Sequence, residues 1–410
     1  VHRLEGALRH YAWGSRTALA GLCGRPVPSA HPEAELWFGA HPADPAELIG
    51  PDGRRSLLTA ISQDPDHELG AAVADRFDDR LPFLLKVLAA AEPLSLQAHP
   101  SAAQAFAGFA RENRLGVALG SPERNYRDAS HKPELVVALE PFDALAGFRE
   151  PTRTLELLRA LDVAELSIYA DLLAGQPDAS GLRAVFTTWI TLPSGALARL
   201  VPQVVAGGER YLSRAGGEFE AEIQTVCQLA DAYPDDAGVL AALLLNRVCL
   251  APGEGLYLGA GNLHAYLHGL GVEIMANSDN VLRGGLTPKH MDVPELLRVL
   301  DFQPLPAPIR VGTDQLADGA VRYRTPAVEF ALSRVDVPAA ASAVGMPAPG
   351  PAIVLCTAGS VELSSGADRL VCTPGQAAWI AAGDPAVTAR AGAAGSQVFC
   401  AAVGDPAATR

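Results

Sequence analysis

The alternation of apolar and polar residues changes character three times along the chain. Through residues 1–150 the apolar runs are short and broken by Gly and Pro, a pattern that predicts strands and turns. Residues 54–80 (SLLTAI, then HELGAAVADRF) read as polar helix, and LPFLLKVLAA at 81–90 reads as a strand buried on both faces. LSLQAHP at 94–100 alternates cleanly. Ser95, Gln97 and His99 take one face, and Leu94, Leu96 and Ala98 take the other. Ser101 is placed to cap a helix running to Arg114, with Ala102, Phe106 and Phe109 expected on its buried side. HKPELVVAL at 131–139 reads as a strand entered through Pro133, with Lys132, Glu134 and Val136 sharing a face.

Residues 151–248 have a different texture. TRTLELLRALDVAEL, EFEAEIQTVCQLADAY and DAGVLAALLLNRVCL all carry apolar residues at helical spacing, so a mainly helical insertion is expected. Strands return after Leu250, where His264, Tyr266 and His268 are expected on one face, opposite Leu263, Ala265 and Leu267. The proline-rich stretch DFQPLPAP at 301–308 marks a boundary, and the evenly spaced short strands beyond it predict a sandwich or barrel. The expected class is mainly β with a helical insertion, that is, α+β. It divides into a discontinuous β domain (1–150 with 249–305), a helical domain (151–248) and a second β domain (306–410). The last contains no histidine and is expected to be structural or oligomerising.

Composition narrows the function. At 410 residues, 49% hydrophobic and 19% charged, the chain is long enough for two or three domains with real cores. A formal charge of −14 argues against nucleic acid as a general partner, yet leaves room for a local basic pocket. No apolar run of about eighteen residues predicts a membrane span, and the first residues do not read as a secretory signal. Six scattered cysteines without a CxxC fit free thiols in a reducing cytoplasm. Among 32 basic residues only Lys86, Lys132 and Lys289 are lysine, and each lies in or near a strand-and-turn motif. A lysine can lose its proton when buried, which an arginine cannot. The sequence does not fix the oligomeric state; a monomer is slightly favoured.

The residue types then suggest a metal. Gln97, His99, Glu134 and His264 combine two imidazoles, a carboxylate and an amide oxygen. That set suits Zn²⁺ with one or two open positions, although manganese, cobalt and iron could also use it. Arg283, between Leu282 and Gly284-Gly285, offers a guanidinium fork where glycine lets the backbone approach a ligand. Gly259 and Gly261 lack the rest of a dinucleotide fingerprint and read as turn glycines, Ser278-Asp279-Asn280 reads as a turn cluster, and the Tyr11/Trp13 pair reads as core or pocket wall.

Tyr11-x-Trp13-Gly14, AELWFGAHP, LPFLLKVLAAAEPLSLQAHP, HKPELVVAL and above all HAYLHGLGVEIMANSDNVLRGGLTPKHMDV together resemble the type I phosphomannose isomerases, zinc-dependent enzymes with a cupin fold. The resemblance spans nearly the whole chain. It implies two cupin-like β domains around a helical insertion, and one zinc held by Gln97, His99, Glu134 and His264. It implies Arg283 as the catalytic arginine, and Ser95, Lys86 and Lys289 as holders of a hexose phosphate, with Trp13 on the pocket wall. It further implies His131 and Lys132 in ring opening and proton transfer, and interconversion of mannose 6-phosphate and fructose 6-phosphate through an enediol. Lys132 is the expected base, with Glu273 and His131 as alternatives. A cupin metalloenzyme of other chemistry, such as an oxygenase, and a non-catalytic sugar-phosphate sensor are the competing readings. The first would want a denser histidine set, and the second would need no proton-transfer group.

Overall fold

The computed structural model describes the chain apart from residues 52, 215, 306–309, 317–318, 340–342, 349 and 406–410. Its strands form two antiparallel sheets and most of its helical residues lie between residues 151 and 242, an α+β arrangement. The expected boundary at 301–308 is described only as far as Leu305, whose amide donates to the Phe148 carbonyl; the rest of it lies outside the described residues.

The first sheet runs in the order Leu245–Leu250, Phe142–Phe148, His264–Ala276, Phe83–Ala90, Glu35–Gly39, Ala7–Arg9. Its axis is the 13-residue strand His264–Ala276. The first half of that strand pairs with Phe142–Phe148 and places His264 opposite Gln97. The second half pairs with Phe83–Ala90 and Glu134–Ala138, placing Glu273 opposite Lys86. The register slips between Tyr266 and His268. That bulge exchanges the faces, since a slip of one residue turns every later side chain over. Leu263, Ala265 and Leu267 therefore pack toward the helices, whereas Leu270, Val272 and Ile274 pack into the core between the sheets.

The second sheet contains Ala331–Val337, Val387–Ala402, Ala352–Ser365 and Ala377–Ile380, and continues through N-terminal strands. His2–Glu5 pairs with both Ala377–Ile380 and Glu47–Gly50. Its inner face (Ile353, Leu355, Trp379, Phe399) meets Phe38, Phe83, Leu85 and Val272 of the first sheet in one continuous core. Burial of a Trp or Phe side chain contributes roughly 2–3 kcal/mol, so this interface holds the first sheet rigidly from behind.

Two local expectations are corrected. The helix Ala102–Arg114 forms with a full Ser101/Gln104 capping box, but Phe106 is 69% exposed. The buried side is Ala105, Gly108 and Glu112, because Gly108 lies under the Tyr126 ring. The helical pattern at 236–250 holds only for Ala237–Ala242. From Leu245 the same apolar residues form a strand, since Phe142–Phe148 offers an open edge to pair with. Two helices, Ala179–Ile190 and Ser194–Leu212, are apolar but meet at 113°, and no single helix among the described residues is long and apolar enough to cross a membrane.

Candidate metal centre and active-site cleft

The alternation that fills the core on one face of the first sheet leaves polar side chains on the other, and these line a cleft of about 640 Å³. At its floor, His99, Glu134 and His264 bring one ligand atom each within 4.8 Å of one another. All three residues are buried. His99 Nε2 lies 3.4 Å from Glu134 Oε1, and His264 Nε2 lies 3.4 Å from Glu134 Oε2. Each imidazole is oriented from behind. His99 Nδ1 donates to the Asn280 carbonyl at 2.8 Å, and His264 Nδ1 donates to the Asn262 carbonyl at 2.9 Å. Both rings thus aim Nε2 at Glu134, the arrangement by which metal sites lock a histidine tautomer. His99 Nε2 is buried without a hydrogen-bond partner. A buried polar atom of that kind normally has one, and a metal ion satisfies it. Gln97 faces His264 across the strands, lines the cleft, and donates its amide to Ser95 Oγ at 3.3 Å. The donor set fits a divalent cation such as zinc.

Electrostatics prepare these groups. Burial pushes the His99 imidazole down to about 4, so it is neutral and able to ligate at neutral pH. Burial also pushes the Glu134 carboxyl upward, but Lys132 and His99 outweigh that effect and hold it well below its ordinary range. Lys132 Nζ sits 3.0 Å from Glu134 Oε1, at the edge of the metal corner.

Lys86 has a different setting from the one expected of a phosphate holder. It is the one charged residue in an otherwise apolar strand, and its ammonium is bridged between Glu273 at 2.6 Å and Glu35 at 3.2 Å. Burial works against its charge, but Glu273 and Glu35 outweigh that and raise its pKa, so it stays protonated. It therefore organises the cleft floor, and its positive charge is already matched. Glu273 is committed too: its other oxygen accepts from the Tyr266 hydroxyl at 2.6 Å, which leaves it poorly placed to take a substrate proton.

The unpaired positive charge lies elsewhere along the cleft. Arg127, Arg283 and Lys289 line it, and among the described residues none has a side-chain hydrogen bond or ion pair. Burial, then Arg127, pushes the Arg283 guanidinium below its usual value. Burial, then Arg283 and Arg127, does the same to Lys289. Like charges gathered without an ion-paired carboxylate among the described residues form a pole for an anion. Ser95 and the stacked Tyr11/Trp13 pair (ring centroids 5.6 Å apart) complete the wall, and Tyr233 reaches it from the helical region.

His131 is not brought to the cleft. The strand begins only at Glu134; in the segment before it Lys132 lines the cleft, whereas His131 turns to Glu329, its Nε2 2.6 Å from Oε1. His268 also leaves the expected face. Beyond the bulge it lines a second cavity of about 370 Å³ with Asp143 and Arg247. Several residues were not picked out from the sequence. The alternation in AELWFG is enough to find Glu35 and Trp37 as a pair on one face, and here Trp37 Nε1 donates to Glu35 at 2.9 Å. Arg127 lies in a loop without periodicity and had no such signal. Asn280, read as a turn residue, is fully buried and orients His99.

A buried His–Glu–His corner facing an unpaired basic pole on a two-sheet α+β frame defines a metal-dependent enzyme for a small anionic substrate. Comparison with known proteins specifies the family. Residues 1–151 match the model of the phosphomannose isomerase type I catalytic domain. Mannose-6-phosphate isomerase of Salmonella typhimurium is 40% identical over 390 residues, covering 95% of this chain and 97% of that protein. The Rattus norvegicus enzyme is 33% identical over 358 residues, or 82% of each chain. A zinc-bound crystal structure of mannose 6-phosphate isomerase superposes with a TM-score of 0.88 at 37% identity, covering 98% of this chain and 99% of that one. The chain belongs to the type I phosphomannose isomerase family.

Proposed function

We propose that this protein is a zinc-dependent isomerase that interconverts D-mannose 6-phosphate and D-fructose 6-phosphate. The observation that carries the reading is the His99–Glu134–His264 corner, with an unsatisfied Nε2, opening toward Arg127, Arg283 and Lys289. The reaction moves one proton from C2 to C1 and one from O2 to O1, through an enediol. Zinc held by Gln97, His99, Glu134 and His264 would polarise the sugar carbonyl as a Lewis acid.

The chain's own residues supply the rest. Lys289 and Arg127, with Ser95, hold the phosphate. Arg283 stabilises the negative charge that develops on the enediolate oxygens. Lys132, beside the metal corner, carries the proton between C2 and C1. Glu35, Lys86, Glu273 and Tyr266 form a buried hydrogen-bonded floor that keeps the corner rigid. The stacked Tyr11/Trp13 pair walls the sugar off from water. The other cupin chemistry and the sensor lose ground here, because relatives of nearly full length are isomerases and a lysine stands beside the ligand carboxylate.

The same proposal keeps the catalytic unit as 1–150 with 249–305, the helical unit as 151–248 and the last unit as 306–410. It is supported by the unbroken run of helices from Pro151 to Ala242. The strands His2–Glu5, Glu47–Gly50 and Gly53–Ser56 then join the last unit's sheet to the first unit. A cytoplasmic setting belongs to the proposal as well, supported by six free cysteines.

The test is isomerase turnover of mannose 6-phosphate before and after chelation, followed by zinc add-back. Loss on chelation and recovery with zinc is expected. Full activity in protein shown to be metal-free would overturn the reading.

A further inference from the structure

The helical region meets the turn that carries Lys289, and that contact is built on backbone. Asp236 caps the helix Ala237–Ala242, with Oδ1 accepting from the Gly238 amide at 2.7 Å. Its other oxygen, Oδ2, crosses to the cleft loop and accepts from the Thr287 amide at 3.1 Å. Thr287 Oγ1 in turn accepts from the Lys289 amide at 3.2 Å. A single carboxylate thus links a helix terminus to the turn that carries Lys289.

The two backbones also meet without side chains between them. A Cβ on Gly285 would lie 2.6 Å from Gly238 Cα, and a Cβ on Gly238 would lie 2.7 Å from the Leu286 amide nitrogen. Only glycine at both positions permits this approach. Gly285 has φ +128, and the next residue, Leu286, is held at φ 54 while fully buried. A left-handed leucine is costly and persists only where its surroundings over-determine it. The over-determining contacts are the Gly238 backbone on one side and the Asp236 carboxylate on the other. The strained residue lies between Arg283 and Lys289, so the strain falls in the turn that sets the separation of these two cations.

We infer that Asp236 is a positioning residue for substrate phosphate. Through Thr287 it fixes the 286–289 turn, and with it Lys289 relative to Arg283, making the helical region a structural part of the anion pole. The inference rests on the reading of Arg283 and Lys289 as that pole. Asp236 acts through its hydrogen bonds to the Gly238 and Thr287 amides.

The test compares Asp236→Ser, Asp236→Ala and Lys289→Ala in the zinc-loaded enzyme. Serine still caps the helix but its short side chain cannot reach Thr287, so Asp236→Ser separates the clamp from the cap. The readouts are KM for mannose 6-phosphate, kcat, the inhibition constant of inorganic phosphate, zinc content and Tm. Asp236→Ser is expected to raise both KM and the phosphate inhibition constant by roughly two- to tenfold, the size of one lost hydrogen bond. Zinc content should be unchanged and kcat altered far less. A purely structural cap would instead lower Tm in Asp236→Ala alone and leave the phosphate inhibition constant unmoved in both variants, which overturns the inference. If Lys289→Ala weakens phosphate inhibition and Asp236→Ser does not, the clamp fails while the pole stands. If Lys289→Ala leaves phosphate inhibition unchanged, the pole itself fails and the inference goes with it.

Discussion

His99 Nδ1 lies 2.8 Å from the main-chain oxygen of Asn280, a residue 181 positions further along the chain. A carbonyl oxygen only accepts, so Nδ1 carries the proton and Nε2 keeps its lone pair for a metal. Asn280 is itself pinned. Its Oδ1 accepts from the Arg127 amide at 2.7 Å, and its Nδ2 donates to the Asp128 and Ser130 carbonyls at 2.9 and 2.8 Å. The turn at 278–280 and the loop at 127–130 are thereby locked together behind the metal corner.

Asn280→Ala should therefore weaken zinc binding without touching any ligand. The substitution keeps the main-chain oxygen to which His99 donates but frees the turn that carries it, so the loss should fall at or below the roughly 10–100-fold that removing a histidine's orienting partner costs. Zinc affinity measured by competition with a chelator checks this; an unchanged affinity in a folded variant would show that the lock is not needed.

Metal-free protein should lose stability on mild acidification. Burial holds His99 at about 4, whereas an exposed imidazole titrates at about 6.5. Between those values the unfolded chain takes up a proton that the folded state refuses, so stability is greatest above about 6.5 and declines as the pH falls toward 4. The Tm of chelated protein across this window should fall with pH, and His99→Asn should flatten the fall. The depressed Glu134 carboxyl acts at lower pH, below its ordinary range.

Lys132→Arg keeps a positive charge beside Glu134 but removes a group that can release its proton. Turnover should drop by roughly 10²–10⁴, the usual contribution of a positioned acid or base, with zinc content retained. Steady-state kinetics and metal analysis on the same preparation decide it, and full turnover would remove Lys132 from the proton path.

His131→Ala should leave kcat within a few-fold of the parent protein, because the ring points away from the cleft toward Glu329. The pair is partly exposed, with side chains 31% and 14% accessible, so its loss should cost only about 1 kcal/mol of stability. A double-mutant cycle with Glu329→Gln, read by denaturant unfolding, measures that coupling. A collapse of kcat in His131→Ala with zinc retained would return His131 to the chemistry.

What local pattern determined here is what depends on parity alone. Gln97 with His99, and Lys132 with Glu134, emerge on shared faces because a strand alternates whatever it pairs with. His264 and Tyr266 follow the same rule as far as Tyr266. Donor chemistry, and then family resemblance, joined these pairs into one site, and the structure brings His99, Glu134 and His264 together as a ligand cluster. The tertiary structure alone decided matters that depend on partners distant in sequence. The bulge after Tyr266 turned His268 away and brought Glu273 onto the cleft face. Lys86 became a matched charge because two neighbouring strands each place a carboxylate beside it. Arg127, in a loop with no period to read, became part of the anion pole because Asn280 holds that loop against the cleft. Alternation is a property of the backbone of one segment. Charge pairing, tautomer and register are properties of neighbours, and those exist only once the chain has folded.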